Sequence, residues 1–391
     1  MSWPNDVHQT IKRLNQVKHI LKGMFTARDL AVDLLVLAAI SQEHVLLVGP
    51  PGTAKTEIIH RYTRLIEAKE FHYLLTRFTE PSELFGPLDL AKFQEGVYTI
   101  RTERMLPEAQ IAFIDEVFNG SSAILNSLLT LLNERVFHNG AVQQVVPLIS
   151  MIGASNAVPE DPWLRAFADR FILRLELESV EDEQIDDLLQ QGWGLERDRI
   201  EAAVKAAQGQ ETGQEIAGVN VQDVVALHSR LLEVDLSGIR PVYGQLIREL
   251  KAEGVELSDR RVVKGLKIAA GAALLRGAEA AAVQDLWPIA HIWTRPEEAK
   301  VIRNVLYPKL AEAGDTTLTM TRPAADILMD LETLEQRESA LLTESALGAY
   351  LMELNKLRRE LINDHPTDMD SRQKVEIVIR RGMERLEGKH V

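Results

Sequence analysis

Val45-Leu46-Leu47-Val48-Gly49-Pro50-Pro51-Gly52-Thr53-Ala54-Lys55-Thr56 is an apolar run that enters a loop punctuated by glycine and proline and ends in Lys-Thr. A buried strand, a tight loop and the mouth of a helix, in that order, make a cradle for nucleotide phosphates. Loop N–H groups and the N-terminus of the following helix turn partial positive charge toward a bound phosphate. Lys55 supplies a full cation for the outer phosphates of ATP, and Thr56 a hydroxyl for Mg2+. Across Gly49, Pro50, Pro51, Gly52, Thr53, Ala54, Lys55 and Thr56 one position departs from the G-x-x-x-x-G-K-[ST] pattern: Ala54 stands where a glycine is expected. A methyl there leaves every N–H in place, so nucleotide binding is expected to survive it.

The chemistry that goes with such a loop lies further along. Ile111-Ala112-Phe113-Ile114 leads into Asp115-Glu116. Asp115 is suited to hold Mg2+ through water, and Glu116 to orient and deprotonate the attacking water. Asn156 leaves the apolar strand Leu148–Ala154, where its amide can contact a γ-phosphate or the water; the alternative is a turn-forming asparagine that caps the next segment. Arg170, between a helix and a strand, is the candidate guanidinium for charge developing in phosphoryl transfer, supplied in cis or by a neighbour. Arg165 reads as a surface ion pair. Ser258 reads as the N-cap of a helix whose first turn holds Arg260 and Arg261 against the helix dipole. A γ-phosphate near Arg260 would resolve that conflict, and so would pairing with neighbouring acids.

Around these motifs the chain alternates helices and short apolar strands up to about Leu177: Val45–Val48, Phe71–Leu75, Ile111–Ile114, Leu148–Ala154 and Phe171–Leu175. Near-continuous apolar strands are covered on both faces, so the fold class expected is α/β, a mostly parallel sheet sandwiched by helices. Two helices precede the loop: Val7, Ile11, Leu14, Val17 and Leu21 mark the first, and Thr26 with Asp29 resembles a capping box for the second. From Asp182 the pattern is helical, with breaks expected at Gly192–Gly194, Gly213–Gly218 and Gly254. The domains expected are 1–180, α/β; 181–298, an all-helical lid; and 299–391, a helical extension. In the extension Leu347, Leu351, Leu354 and Leu361 form one apolar stripe and Val375, Val378, Ile379 and Leu386 another, interrupted at Pro366. These read as two packed amphipathic helices or as a coiled-coil docking surface.

Composition narrows the function classes. The 391 residues carry a net charge of −14, which lacks the cationic footprint of a duplex-binding protein. No cysteine is present, so disulfides and thiolate metal sites are excluded. The run Leu30–Ile40 is too short to span a bilayer. Met1–Asp6 shows no basic region followed by an apolar core, and a cytoplasmic location is expected.

Taken in order, Gly49–Thr56, Phe113-Ile114-Asp115-Glu116, Ala154-Ser155-Asn156, Asp169-Arg170-Phe171 and Ser258-Asp259-Arg260-Arg261 resemble an AAA+ ATPase. More narrowly they resemble the MoxR family and its RavA branch, over roughly residues 10 to 300. Family members often carry alanine at the place of Ala54. Ser82-Glu83-Leu84-Phe85-Gly86-Pro87 and the strand-like excursion Gly96–Ile100 resemble the helix-2 insert of the clade that also holds magnesium chelatase and MCM helicases. Val136–Val142, around Asn139-Gly140, sits at the place of that clade's hairpin. The resemblance implies a hexameric ring with ATP between subunits and Arg170 completing the neighbour's site. It also implies a chaperone-like action on a protein client and a partner bearing a von Willebrand factor A domain. That partner is expected to be a separate chain, since Asp235-Leu236-Ser237-Gly238-Ile239 breaks the Asp-x-Ser-x-Ser metal motif at its last position. Two other readings are a nucleotide-gated scaffold with incidental hydrolysis and a nucleic-acid motor of the same clade.

Overall fold

The structure, a computed structural model, describes residues 3–180, 184–208, 218–312 and 369–387, with single helical positions between 328 and 361. Residues 1–307 and 308–391 form two compact units.

The first unit opens with α1 (Asn5–Met24) and α2 (Asp29–Ser41), then β1 (Val45–Val48) and α3 (Lys55–Leu65). There follow β2 (Glu70–Leu74), α4 (Pro81–Phe85), α5 (Leu90–Gln94), β3 (Ile111–Asp115) and α6 (Ser122–Glu134). The hairpin β4 (Val136–Asn139) and β5 (Val142–Val145) leads to β6 (Ser150–Ser155), α7 (Pro162–Ala168) and β7 (Leu173–Glu176). Beyond the sheet come α8 (Ile185–Ala207), α9 (Val221–Leu231), α10 (Arg240–Ala252), α11 (Asp259–Leu275) and α12 (Pro296–Glu312), the last of which belongs to this unit up to Tyr307.

Five strands pair in parallel in the order β2-β3-β6-β1-β7. The phosphate-loop strand β1 therefore lies beside β6 rather than beside the carboxylate strand β3. Parallel strands need crossovers, and the helices between them cover both faces. Register brings the carboxyl ends level: Gly49 N–H donates to the Ser155 carbonyl and Val117 N–H to the Ala154 carbonyl, both at 3.0 Å.

The apolar run Leu30–Ile40 is the middle of α2, which is buried from Ala31 to Ser41. A helix apolar all round belongs in a core, and α2 packs against α1, α3, α9, α11, β1 and β7. Its one core charge, Asp33, accepts from Lys18 and Lys22, each at 2.7 Å. Fully buried Glu43, just before β1, pairs with Lys264 and Lys267 of α11 and so ties the helical section to the sheet.

Three local expectations give way to tertiary context. Thr26 does not cap α2: Ala27 turns into the left-handed region at φ 55°, the N-cap is Arg28, and the Thr26 hydroxyl donates to Gln191 Oε1 at 2.6 Å. Gly192 and Gly194 do not break the chain. α8 runs through both, since contacts with α1 and the Arg61–Asp198 pair hold it against the unit, offsetting about 1 kcal/mol per glycine. The Gly96–Ile100 excursion makes one antiparallel bridge, Leu88 with Ile100, after α5; Asn139 clasps it by accepting from Ile100 N–H at 2.6 Å and donating to its carbonyl at 2.9 Å. The break at Gly254 stands, at φ 85° after α10. Asp182 and residues 213–217 lie outside the described residues.

In the second unit, Tyr350, Leu351, Leu354, Leu357 and Leu361 bury themselves against Val375, Val378 and Ile379 of α13 (Met369–Glu387). The two stripes therefore cover each other, as packed amphipathic helices do. Pro366 and the Leu386 side chain lie outside the described residues. No helix among those described is long and apolar enough to cross a membrane.

Buried histidines make the first unit acid-sensitive. Burial, with Arg303 adding to it, pushes His291 from 6.5 down to about 4, and burial holds His44 well below 6.5. The unfolded chain takes up these protons near pH 6.5, whereas the folded chain refuses that of His291 until about pH 4 and holds off that of His44 well below 6.5. Stability is full above pH 6.5 and falls as pH drops through that window, by about 3 kcal/mol for His291 alone. Urea midpoints measured between pH 7 and pH 4.5 should fall with pH, and His291→Gln should flatten the slope.

Candidate functional site

The loop after β1 is shaped by two glycines. A Cβ at Gly49 would lie 2.2 Å from the Leu177 carbonyl oxygen, so only glycine lets the loop leave the sheet beside β7. Gly52 holds φ 84°, a backbone region that side chains disfavour. Thr53 closes the turn by donating to the Pro50 carbonyl at 3.0 Å. Ala54 is left-handed as well, at φ 62° and ψ 21°, so its methyl carries a backbone cost that the sequence did not announce. α3 then starts at Lys55 with no side chain capping it, so its first N–H groups point into the loop.

Lys55 is buried and folds back to donate to the carbonyls of Gly49 at 2.6 Å and Pro50 at 3.0 Å. Burial lowers its pKa, while Asp115 and Glu116 pull it the other way. The Asp115 carboxylate accepts from Glu116 N–H at 3.0 Å. Glu116 sits in the left-handed region at φ 50°, with its carboxylate held between two amides. Asn156 donates to Oε1 at 2.9 Å and Asn119 to Oε2 at 3.3 Å. Asn156 caps no helix: Ser155 makes the local turn with Ala157, and Asp161 caps α7. The phosphate loop, Asp115, Glu116 and Asn156 thus meet at the carboxyl edge of the sheet. Thr56 and Asp115 offer hard oxygen donors, which suits Mg2+ that keeps its remaining ligands as phosphate and water.

Arg170 and Arg260 are elsewhere. Leu173 N–H donates to the His44 carbonyl at the start of β1, so Arg170 lies at the amino edge, below a strand roughly 13 Å long. There it donates through Nε to Asn133 Oδ1 at 3.0 Å, and Arg260 donates to the same oxygen at 3.3 Å. Burial lowers the Arg170 pKa and neighbouring Arg260 lowers it further. The conflict of two arginines in one first turn is resolved for Arg261 by Asp169, at 2.8 Å. Ser258 caps α11 by accepting from Arg261 N–H. Arg165 is exposed and makes no ion pair among the described residues; it lines a cleft of about 260 Å³ with Val48, Asn156, Glu176 and Arg295.

Arg28, Asn119 and Asn133 carry contacts that sequence patterns missed. Buried Arg28 donates through Nε to the Thr53 carbonyl at 3.1 Å and through a terminal nitrogen to the Glu178 carbonyl at 2.9 Å, clamping the loop to the end of β7. No motif signals an arginine whose partners are carbonyls 25 and 150 residues away.

A phosphate loop on a parallel sheet with strand order β2-β3-β6-β1-β7, followed by a helical section, defines an AAA+ fold. A crystal structure of a candidate ATPase from Cytophaga hutchinsonii shares it, with a TM-score of 0.59 at 16% identity over 78% of this chain and 96% of that one. Residues 12–214 match the family described as the MoxR domain in the MoxR-vWA-beta-propeller ternary systems. Two uncharacterised proteins of Methanocaldococcus jannaschii are similar. One is 35% identical over 73% of this chain and 72% of its own length, the other 29% over 92% and 93%. The chaperone MoxR1 of Mycobacterium tuberculosis is 24% identical over 44% of each chain. The chain belongs to the MoxR family of AAA+ ATPases. The matching description is that of the ternary systems, and the comparisons carry nothing specific to the RavA branch.

The left-handed Ala54 yields a prediction. Alanine there costs about 1–2 kcal/mol, and glycine gives part of that back through its looser unfolded chain. Ala54→Gly should stabilise the protein by up to about 1 kcal/mol in urea unfolding. Its nucleotide affinity should stay within about threefold of wild type, since the N–H groups keep their places.

Proposed function

We propose that this protein is a Mg2+-dependent ATPase that works as a ring, a hexamer, and remodels or matures a protein client in the cytoplasm. The observation that carries the reading is the separation of the two groups of charged residues. Lys55, Asp115, Glu116 and Asn156 gather at the carboxyl edge of the sheet, and Arg170 and Arg260 at the amino edge. Arg170 and Arg260 of a subunit so built lie away from its own nucleotide, which supports an ATP that sits between two subunits and meets the neighbour's pair.

In this reading Gly49–Thr56 bind the phosphates and Lys55 turns from the loop carbonyls to the outer phosphates. Thr56 and Asp115 hold Mg2+, which supplies neutralising charge to the phosphate oxygens. Glu116 accepts a proton from the attacking water, and Asn156, already on its carboxylate, orients both. Arg170 stabilises the charge that develops on the neighbour's γ-phosphate, with Arg260 beside it. Residues 1–180 serve as the base, 181–298 as the lid and 299–391 as an extension, and hydrolysis shifts lid against base. A von Willebrand factor A protein, carried on a separate chain, acts as partner in this reading, and the MoxR-vWA-beta-propeller systems of the family description support it.

The test is ATP turnover against protein concentration, with Arg170→Ala subunits doped into wild type. A steep dependence on concentration, and depression beyond simple dilution, supports the shared site. Rate per subunit that is flat with concentration removes the ring and the neighbour's arginine together. Lys55→Ala should lose nucleotide binding, while Glu116→Gln should keep binding and lose turnover by on the order of 10²-fold or more.

A further inference from the structure

Two cations meeting on one neutral oxygen is an arrangement that needs a reason. Arg170 belongs to the turn between α7 and β7, and Arg260 to the first turn of α11. Both point their guanidinium groups at Asn133 Oδ1, near the end of α6. The carboxylate closest in sequence, Asp169, is taken by Arg261 and by the Ser258 hydroxyl. Among the described residues neither Arg170 nor Arg260 makes an ion pair. Like charges so placed repel, and an anion from outside would relieve them.

All three side chains stand next to residues that are pinned. Arg135 ends α6 in a left-handed turn and donates to the carbonyls of Leu148 at 2.8 Å, Gln42 at 3.1 Å and Ile149 at 3.3 Å. Asn133 precedes it by two residues. Arg261, fully buried, fixes the backbone beside Arg260, and its partner Asp169 fixes the backbone beside Arg170. The pair is therefore set in place by the fold, Arg170 donating through a terminal nitrogen to the Ala166 carbonyl at 2.9 Å as well, while its remaining N–H groups make no hydrogen bond among the described residues.

We infer that Asn133 is a positioning residue that holds Arg170 and Arg260 together as one two-guanidinium receptor for a phosphate carried by a second copy of this chain. The inference rests on the reading of a shared site given above. A neutral amide suits the task, because it orients both cations without cancelling their charge, as a carboxylate would. It also joins base and lid at the point where the neighbour's nucleotide is met, so a lid displacement would separate Arg260 from Arg170 and weaken the receptor.

The test compares ATP turnover in Asn133→Ala, Asn133→Asp and Arg170→Ala, each alone and mixed with Glu116→Gln subunits. Asn133→Ala should lose about tenfold or more in kcat, since small misplacements of a positioned group are costly. Its nucleotide affinity, set at the far edge of the sheet, should change less than about threefold, and its Tm little, because the side chain is exposed. Asn133→Asp keeps an acceptor oxygen, so a purely structural hydrogen bond would survive; here kcat should fall while Tm holds. Mixing with Glu116→Gln should restore turnover to Asn133→Ala, whose intact catalytic edge then meets an intact arginine pair. Wild-type kcat in either Asn133 variant, or a loss that mixing does not rescue while Arg170→Ala is rescued, would overturn the inference. Failure of Arg170→Ala itself to be rescued would instead bring down the shared site, and this inference with it.

Discussion

The guanidinium of Arg261 is the contact on which the arrangement of the first unit turns. It is completely buried and donates to Asp169 at 2.8 Å and to the carbonyls of Phe171, Ile172, Ile292 and Trp293. A buried charge is tolerable only when paired and fully hydrogen-bonded, and a planar fork of five donors is the side chain able to satisfy so many acceptors at once. These carbonyls belong to two parts of the chain, the entry to β7 and the segment before α12. Buried Arg174 repeats the design from within β7, donating to the carbonyls of Ala168, Phe171 and Thr294 and lying over Trp293. Glu43 adds a third tie through Lys264 and Lys267. Helical section and sheet are therefore joined by polar groups buried at both sides of the junction.

That junction sets where the charges go. With Asp169 committed to Arg261, the residues on either side of the pair are left facing outward at the amino edge, and they are Arg170 and Arg260. At the carboxyl edge the opposite economy holds. Lys55 lies near Asp115 and Glu116, Glu116 is held by two amides, and the loop backbone is clamped by Arg28. Cationic side chains thus stand at both ends of β1, Arg28 and Lys55 at one and Arg170 and Arg260 at the other.

Much of this was legible in the chain. The phosphate loop, the Asp115-Glu116 pair and the five parallel strands could be read because each depends on residues close together in sequence. The two apolar stripes of the second unit were equally plain, and they do pack on each other. The misreadings share a cause. Thr26 looked like a cap and Gly192–Gly194 like a break because propensity is a weak prior that packing overrides. In one case Ala27 turns left-handed; in the other α8 lies against α1.

The amino-acid sequence by itself determined the chemistry available: a cradle of N–H groups, a lysine, two carboxylates, an amide and spare arginines, set among apolar runs that suit an α/β fold with parallel strands. Those are properties of short segments, where covalent spacing sets what each residue can reach. Tertiary structure alone decided which residues meet. It chose Arg261 over Arg260 for Asp169, brought Arg28 onto the loop, put Asn156 on Glu116, and seated two arginines on Asn133. Such contacts join residues up to 150 positions apart, and they form because burying one polar group obliges the fold to supply its partner from wherever the chain can bring it.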